Sequence, residues 1–286
     1  MSHGESHGPS SATLTGERPE TIAYLEGAGG ERIYSVLHRA TGRRRGAVLL
    51  AGPIGAERER AWRTLVVLAR ALAEIGFDVL RFDYRGIGES EGCFEELGLS
   101  DWANDTRVVL DHLRTMAPGA PVVACGVRAG CLPASRAFKE RWADAMLLLA
   151  PPAGGRELLM DTLRRTLMAD MMANPHAPRQ SREQIAAAIE GGGRVNIDGY
   201  FWSPALWNDS SSHTLFVPPC AETRAWKILD FQGLARTKLP PECKDNGVLV
   251  AAERFWEHSG QLIPASTALF DAVAGWIDEA VERAGP

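Results

Sequence analysis

Short apolar runs and longer amphipathic segments take turns along the chain from residue 31 to residue 150. Apolar and polar positions alternate over 31–39, as on a strand with one wet face. Residues 47–50 are apolar throughout and stop at Gly52-Pro53, which predicts a strand buried on both faces. Over 61–75 the apolar positions Leu65, Leu68, Leu72 and Ile75 recur at helical spacing, and Gly76 ends the segment. The pattern continues with a strand at 78–82, a glycine-rich loop over 83–92, and a helix over 100–116 capped by Ser100. Asp101 and Asp105 fall in the first turn of that helix, where the helix dipole favours acids. A strand at 121–125, a helix over 131–141 and a strand at 145–150 follow. Alternation of this kind builds a mostly parallel central sheet flanked by helices, an α/β fold.

The rhythm breaks after Pro151-Pro152. Two amphipathic helices are expected in succession, over 157–173 and 181–190, and Gly191-Gly192-Gly193 closes the second. Strands at 214–217 and 247–252 and a helix over 265–283 then restore the earlier pattern. The expected organisation is a disordered tail over 1–18, a core in two parts over 19–154 and 213–286, and a small helical lid inserted at 155–212.

Composition narrows the function classes. At 286 residues, with 45% apolar and 23% charged residues, the chain is an ordinary globular one. Its net charge of −5 argues against nucleic acid or an anionic membrane as partner, since both reward clustered cations. The one basic run, Arg43-Arg44-Arg45, lies beside the turn signal Thr41-Gly42 and reads as a solvated hairpin. Cys93, Cys125, Cys131, Cys220 and Cys243 are odd in number and scattered, against a disulfide framework and a structural zinc site alike. No segment has the roughly 18 continuous apolar residues of a membrane span, and 1–18 has no signal-peptide core. A cytoplasmic protein with reduced thiols is expected, with no cofactor and no metal.

The candidate chemistry lies in three loops. Leu80-Arg-Phe-Asp-Tyr-Arg-Gly-Ile-Gly-Glu-Ser90 looks like the loop after the fourth strand of α/β-hydrolases, with Asp83 and Arg85 tying it down and Ser90 structural. Residues 49–60, LLAGPIGAERER, occupy the place of the loop that lends a backbone N–H to the oxyanion hole. Pro53 has no N–H to give, so Ile54 or Gly55 is the candidate donor, with Ala129 as the second. Glu57 and Glu59 follow closely enough to reach the site or to face solvent.

The segment Val122-Val-Ala-Cys-Gly-Val-Arg-Ala-Gly-Cys131 has the strand, turn and helix of a nucleophile elbow. Its apex calls for a compact nucleophile, yet it carries Arg128, whose guanidinium stays protonated and cannot attack a carbonyl. Arg128 either holds a carboxylate or phosphate of a ligand, or pairs with Glu57 or Glu59 and closes the pocket. Cys125 and Cys131 flank the turn without occupying its apex. In the chain order of a catalytic triad, the acid falls near Glu222 and the histidine at His258. The aromatic stretch 200–207 either lines the pocket or packs the interior.

Taken together, the loop 52–60, the loop 82–92, the G-x-R-x-G turn at 126–130, the segment Ile197-Asp-Gly-Tyr-Phe-Trp-Ser-Pro-Ala-Leu206 and Arg254-Phe-Trp256 resemble the exosortase A system-associated hydrolases, a branch of the α/β-hydrolases. The resemblance implies an α/β-hydrolase fold and an arginine at the elbow as a feature of the branch. Three functions are compatible with these residues. One is a hydrolase for an ester, acyl or other carboxylate-bearing small molecule that works without a serine nucleophile, through Arg128, Glu222 and His258. Another is a retired relative that uses the Arg128 pocket for an anionic ligand or a partner. The third, a cysteine-dependent acyltransferase, needs Cys125 or Cys131 exposed beside a histidine.

Overall fold

Residues Gly46–Ala51 read GAVLLA and are buried along their whole length. A strand covered on both faces needs helices on both sides, and the sheet around it is built that way. A computed structural model describes residues 20–176, 180–257 and 266–284; the expected tail at 1–18 and His258 lie outside them. The strands are β1 (Glu20–Glu26), β2 (Arg32–His38), β3 (Gly46–Ala51), β4 (Phe77–Phe82), β5 (Val122–Val127), β6 (Ala145–Leu149), β7 (Val195–Ile197), β8 (Tyr200–Trp202), β9 (Trp226–Phe231) and β10 (Gly247–Val250). The helices are α1 (Gly55–Glu74), α2 (Leu99–Met116), α3 (Cys131–Lys139), α4 (Gly155–Ala173), α5 (Arg182–Glu190), α6 (Pro204–Ser212) and α7 (Thr267–Arg283).

Eight strands form one sheet in the order β1-β2-β4-β3-β5-β6-β9-β10. β2 pairs antiparallel with β1 and β4, and every pairing from β4 through β10 is parallel. Side chains of β5 alternate between two cores: Val122 and Ala124 meet α2 and α3, while Val123, Cys125 and Val127 meet α1 and α7. The first core holds Trp102, Leu110 and Phe138, the second Leu68, Leu72 and Ile277. This is the α/β-hydrolase arrangement, and it brings the carboxyl ends of the parallel strands to one edge of the molecule.

The segment between β6 and β9 carries α4, α5, the two-stranded β7–β8 hairpin and α6. Ser181 caps α5, its hydroxyl accepting from the Gln184 N–H. Ser203 caps α6 in the same way with Pro204 at the first helical position. The hairpin and α6 were not foreseen from the apolar pattern, and neither was β1.

Several expectations need correction. The strand expected at 214–217 is absent: Thr214 makes one isolated bridge to Gly154, and Leu215, Phe216 and Val217 lie half-buried against the core without ladder partners. The strand that joins β6 is β9, whose Lys227 and Asp230 disguise it. Helix α2 starts at Leu99, so Ser100 is inside it; the Ser100 hydroxyl donates to Asp209 of α6 at 2.5 Å. Cys220 and Cys243 are joined in a disulfide with Cα atoms 5.6 Å apart, where fully reduced thiols were expected. They precede β9 and β10, and the parallel pairing of those strands brings their starting points together.

Candidate functional site

Strand β5 delivers the chain to a tight turn whose apex is Arg128. Arg128 has φ +52°, in the left-handed region, where a side chain costs about 1–3 kcal/mol. The surroundings leave the turn no other shape. A Cβ on Gly126 would stand 2.6 Å from the Cys131 Cα, and one on Gly130 would strike the Ala51 carbonyl of β3. The two glycines of the G-x-R-x-G pattern therefore let strand, turn and α3 pack closely, and the elbow backbone is intact.

The arginine at its apex is 5% exposed. Its Nε donates to both oxygens of Glu57, at 3.2 and 3.3 Å. Nη1 donates to the Ala150 carbonyl at 3.3 Å, and Nη2 to Asp161 Oδ2 at 3.2 Å. The guanidinium also stands over the Trp256 ring, 5.8 Å from its centre. Burial works against its charge, but Glu57 and Asp161 outweigh burial and raise its pKa above the ordinary arginine value. Arg165 joins from α4: its Nη1 lies 2.5 Å from Glu57, and its Nε 3.3 Å from Asp161. Arg164 closes on the other oxygen of Asp161 at 2.8 Å. Burial pushes the Asp161 carboxyl up, yet Arg164, Arg165 and Arg128 together hold it below its ordinary value. Core and insertion thus share one ion network of two carboxylates and three guanidinium groups.

Beside this network lies a cavity of about 460 Å³. α1 contributes Gly55, Ala56, Glu57 and Arg60, with Ile54 just before it; α4 contributes Leu158, Leu159, Arg165 and Met172 among others. Tyr200 and Trp202 of the hairpin and Arg254 and Glu257 of the loop after β10 complete the wall. Arg128 is not among the lining residues; Glu57 and Arg165 stand in front of it.

The structure sorts the sequence candidates. Arg128 and Glu57 come together as a buried pair, the second of the two readings given for Arg128. Glu59 points elsewhere and accepts from the Tyr200 hydroxyl at 3.2 Å. Ile54 and Gly55 line the cavity, while Ala129 is buried in the turn and does not line it. Glu222 does not converge on the site. It precedes β9, at the amino-end edge of the parallel strands, and is held there by Arg224, which donates to the Phe138 and Ala143 carbonyls. The Arg224 hydrogen bond lowers its pKa to about 2. The misplacement follows from the strand error, because moving the strand from 214–217 to β9 turns a residue after the strand into one before it. Asp230 is the acid near the carboxyl end of β9, and it accepts from the Thr237 N–H and hydroxyl. His258 lies outside the described residues; its neighbours Arg254 and Glu257 reach the cavity.

Neither cysteine beside the turn is a nucleophile. Cys125 and Cys131 are wholly buried, and burial pushes Cys125 up to about 12 and Cys131 well above an ordinary thiol. Ser90 is structural: its hydroxyl donates to the Asp83 carbonyl and accepts from the Tyr34 N–H. Sequence reading missed Asp161, Arg164 and Arg165. Their signal was one charged face on α4, at the three- and four-residue spacing that sets helical side chains together.

The family model described as "Serine aminopeptidase, S33" matches residues 30–188. No curated protein matches the chain. Among solved structures, the chain is similar to XC6422 from Xanthomonas campestris, described as an a/b serine hydrolase without lid (17% identity, 93% of this chain and 95% of that one, TM-score 0.52). It is also similar to the hypothetical protein PA2218 from Pseudomonas aeruginosa (15% identity, 93% and 95% covered, TM-score 0.59). A third likeness is to Est1E from Butyrivibrio proteoclasticus with bound ferulic acid (18% identity, 91% and 96% covered, TM-score 0.53). At such identities these likenesses speak for the fold. With elbow, sheet order and a family match over more than half its length in agreement, the chain belongs to the serine aminopeptidase S33 family of α/β hydrolases.

Proposed function

We propose that this hydrolase takes a small molecule bearing an ester, acyl or other carboxylate group into the 460 Å³ cavity, under the segment 155–212 as a lid, and cleaves it without a serine nucleophile. The observation that carries the reading is a cavity beside an elbow whose apex holds an ion-paired arginine. A guanidinium forms no acyl intermediate, so the attacking group is water. The water oxygen adds to the carbonyl carbon and its proton passes to a base in the loop after β10, a role this reading gives to His258. Backbone N–H groups of Ile54 and Gly55 meet the developing oxyanion. The carbon–oxygen bond to the leaving group then breaks, and the leaving oxygen takes the proton back. Membership of the exosortase A-associated branch belongs to the same proposal, supported by the G-x-R-x-G turn and by the segment 197–206; the Cys220–Cys243 bond counts against the cytoplasmic location expected from the sequence.

One observation favours a second reading. Glu57 and Asp161 already neutralise Arg128, which suits a retired relative that only binds its ligand. Turnover of p-nitrophenyl butyrate by the wild type, beside Arg128→Ser and His258→Ala, separates the two. Turnover by the wild type that vanishes in His258→Ala supports the enzyme. A silent wild type with an active Arg128→Ser variant supports the retired relative.

A further inference from the structure

Four arginines line the cavity: Arg60, Arg164, Arg165 and Arg254. Three of them have a carboxylate partner. Arg165 holds Glu57, Arg164 holds Asp161, and Arg254 lies 3.0 Å from Glu257. Arg60 is different. It is half-buried, and no carboxylate among the described residues comes within ion-pair distance of it. It sits three residues beyond Glu57 and four beyond Ala56, so helical spacing sets it on the face of α1 that borders the cavity.

We infer that Arg60 anchors a carboxylate on the ligand, and that the ligand is an aliphatic carboxylate with one negative charge. The inference rests on the reading that this cavity takes a small molecule. Arg128 cannot serve as the anchor, since it stands behind Glu57 and Arg165 and does not line the wall. Around the cavity five guanidinium groups, those of Arg60, Arg128, Arg164, Arg165 and Arg254, stand against four carboxylates, those of Glu57, Asp161, Asp198 and Glu257, and the one positive charge left over favours a carboxylate over a phosphate dianion. Its planar donor fork fits the two oxygens of a carboxylate, and a partly desolvated site strengthens the pair. Asp198, an acid on the same wall, is exposed at the tip of the β7–β8 turn and accepts from the Thr166 hydroxyl at 2.9 Å. The rest of the wall is mostly apolar. Leu158, Leu159, Met168 and Met172 of α4 face this space, with Ile197 and Trp202 of the hairpin beside them. An aliphatic body would lie along these side chains with its charged end at α1.

Calorimetric titration with octanoate and with octanamide, its neutral counterpart, tests the inference on wild type, Arg60→Gln and Arg60→Lys. Wild type is expected to bind octanoate about tenfold or more tightly than octanamide. Arg60→Gln removes that preference by weakening octanoate and leaving octanamide unchanged, and Arg60→Lys restores part of it. Equal binding of the two by the wild type, or a preference that survives Arg60→Gln, overturns the anchor while leaving the small-molecule reading in place. If neither compound binds the wild type, the small-molecule reading itself fails, and the anchor falls with it.

Discussion

Arg85 and Arg128 stand past the carboxyl ends of β4 and β5, the two strands that flank β3, and are 4% and 5% exposed. They are held in different ways. Arg85 donates through Nε to Asp105 at 2.6 Å, and its backbone N–H reaches the other oxygen of the same carboxylate at 2.9 Å. Asp105 is fully buried on α2, so the pair nails the glycine-rich loop to a core helix. The bonds of Arg128 run from 3.2 to 3.3 Å, Glu57 is shared with Arg165, and Asp161 belongs to the inserted segment. Equal burial thus conceals two roles. One arginine fixes the core to itself, and the other joins the core to a cover through partners that have other ties. The carboxyl groups register the difference: burial raises the pKa of Asp105 despite Arg85, whereas three guanidinium groups lower that of Asp161 despite burial.

Substitution should widen the contrast, most of all at Arg85. Arg85→Met strands Asp105 as an uncompensated buried charge and is expected to cost about 3–5 kcal/mol in urea unfolding. Arg128→Met is expected to cost about 1–3 kcal/mol, because Arg165 stays on Glu57. A cost at Arg128 equal to that at Arg85 would break the comparison. Asp161→Asn is the mildest, below about 1 kcal/mol in global stability, with its main effect local: faster amide exchange along α4.

Acid sharpens the same point. Asp161 has a lowered pKa in the folded state, so the unfolded chain binds its proton first as pH falls. Its contribution is complete above the ordinary value of 3.8 and is lost as pH drops through the lowered one. Thermal melts of Asp161→Asn should therefore show a shallower acid decline than the wild type below pH 3.8.

The parallel core was legible wherever an apolar run met its own turn signal. β3, β4, β5 and β6, with α2 and α3, fall within two residues of their expected places, and α1 ends where expected but starts at Gly55 rather than near residue 61. The pattern failed where burial and hydrogen bonding part company. Leu215, Phe216 and Val217 bury apolar surface without joining a ladder, while β9 joins one although it carries Lys227 and Asp230. That exchange displaced Glu222 from the site, whereas the elbow, written in adjacent residues, came through with its glycines and Glu57. Asp161 and Arg165 could not be joined to Glu57 and Arg128 from the sequence, nor Arg60 set on the same cavity wall, because both depend on how α4 is placed against the core. The Cys220–Cys243 bond was hidden for a similar reason: a separation of 23 residues carries no motif, and only the pairing of β9 with β10 brings the two together.

The central claim is that no serine in this protein serves as an activated nucleophile. Incubation of the purified wild type with a fluorophosphonate, followed by intact-mass measurement, tests it most directly, since that reagent phosphonylates activated serines and leaves ordinary hydroxyls alone. An unchanged mass after prolonged incubation is the expected result. A single stoichiometric adduct would contradict the claim and place a working nucleophile somewhere other than the elbow.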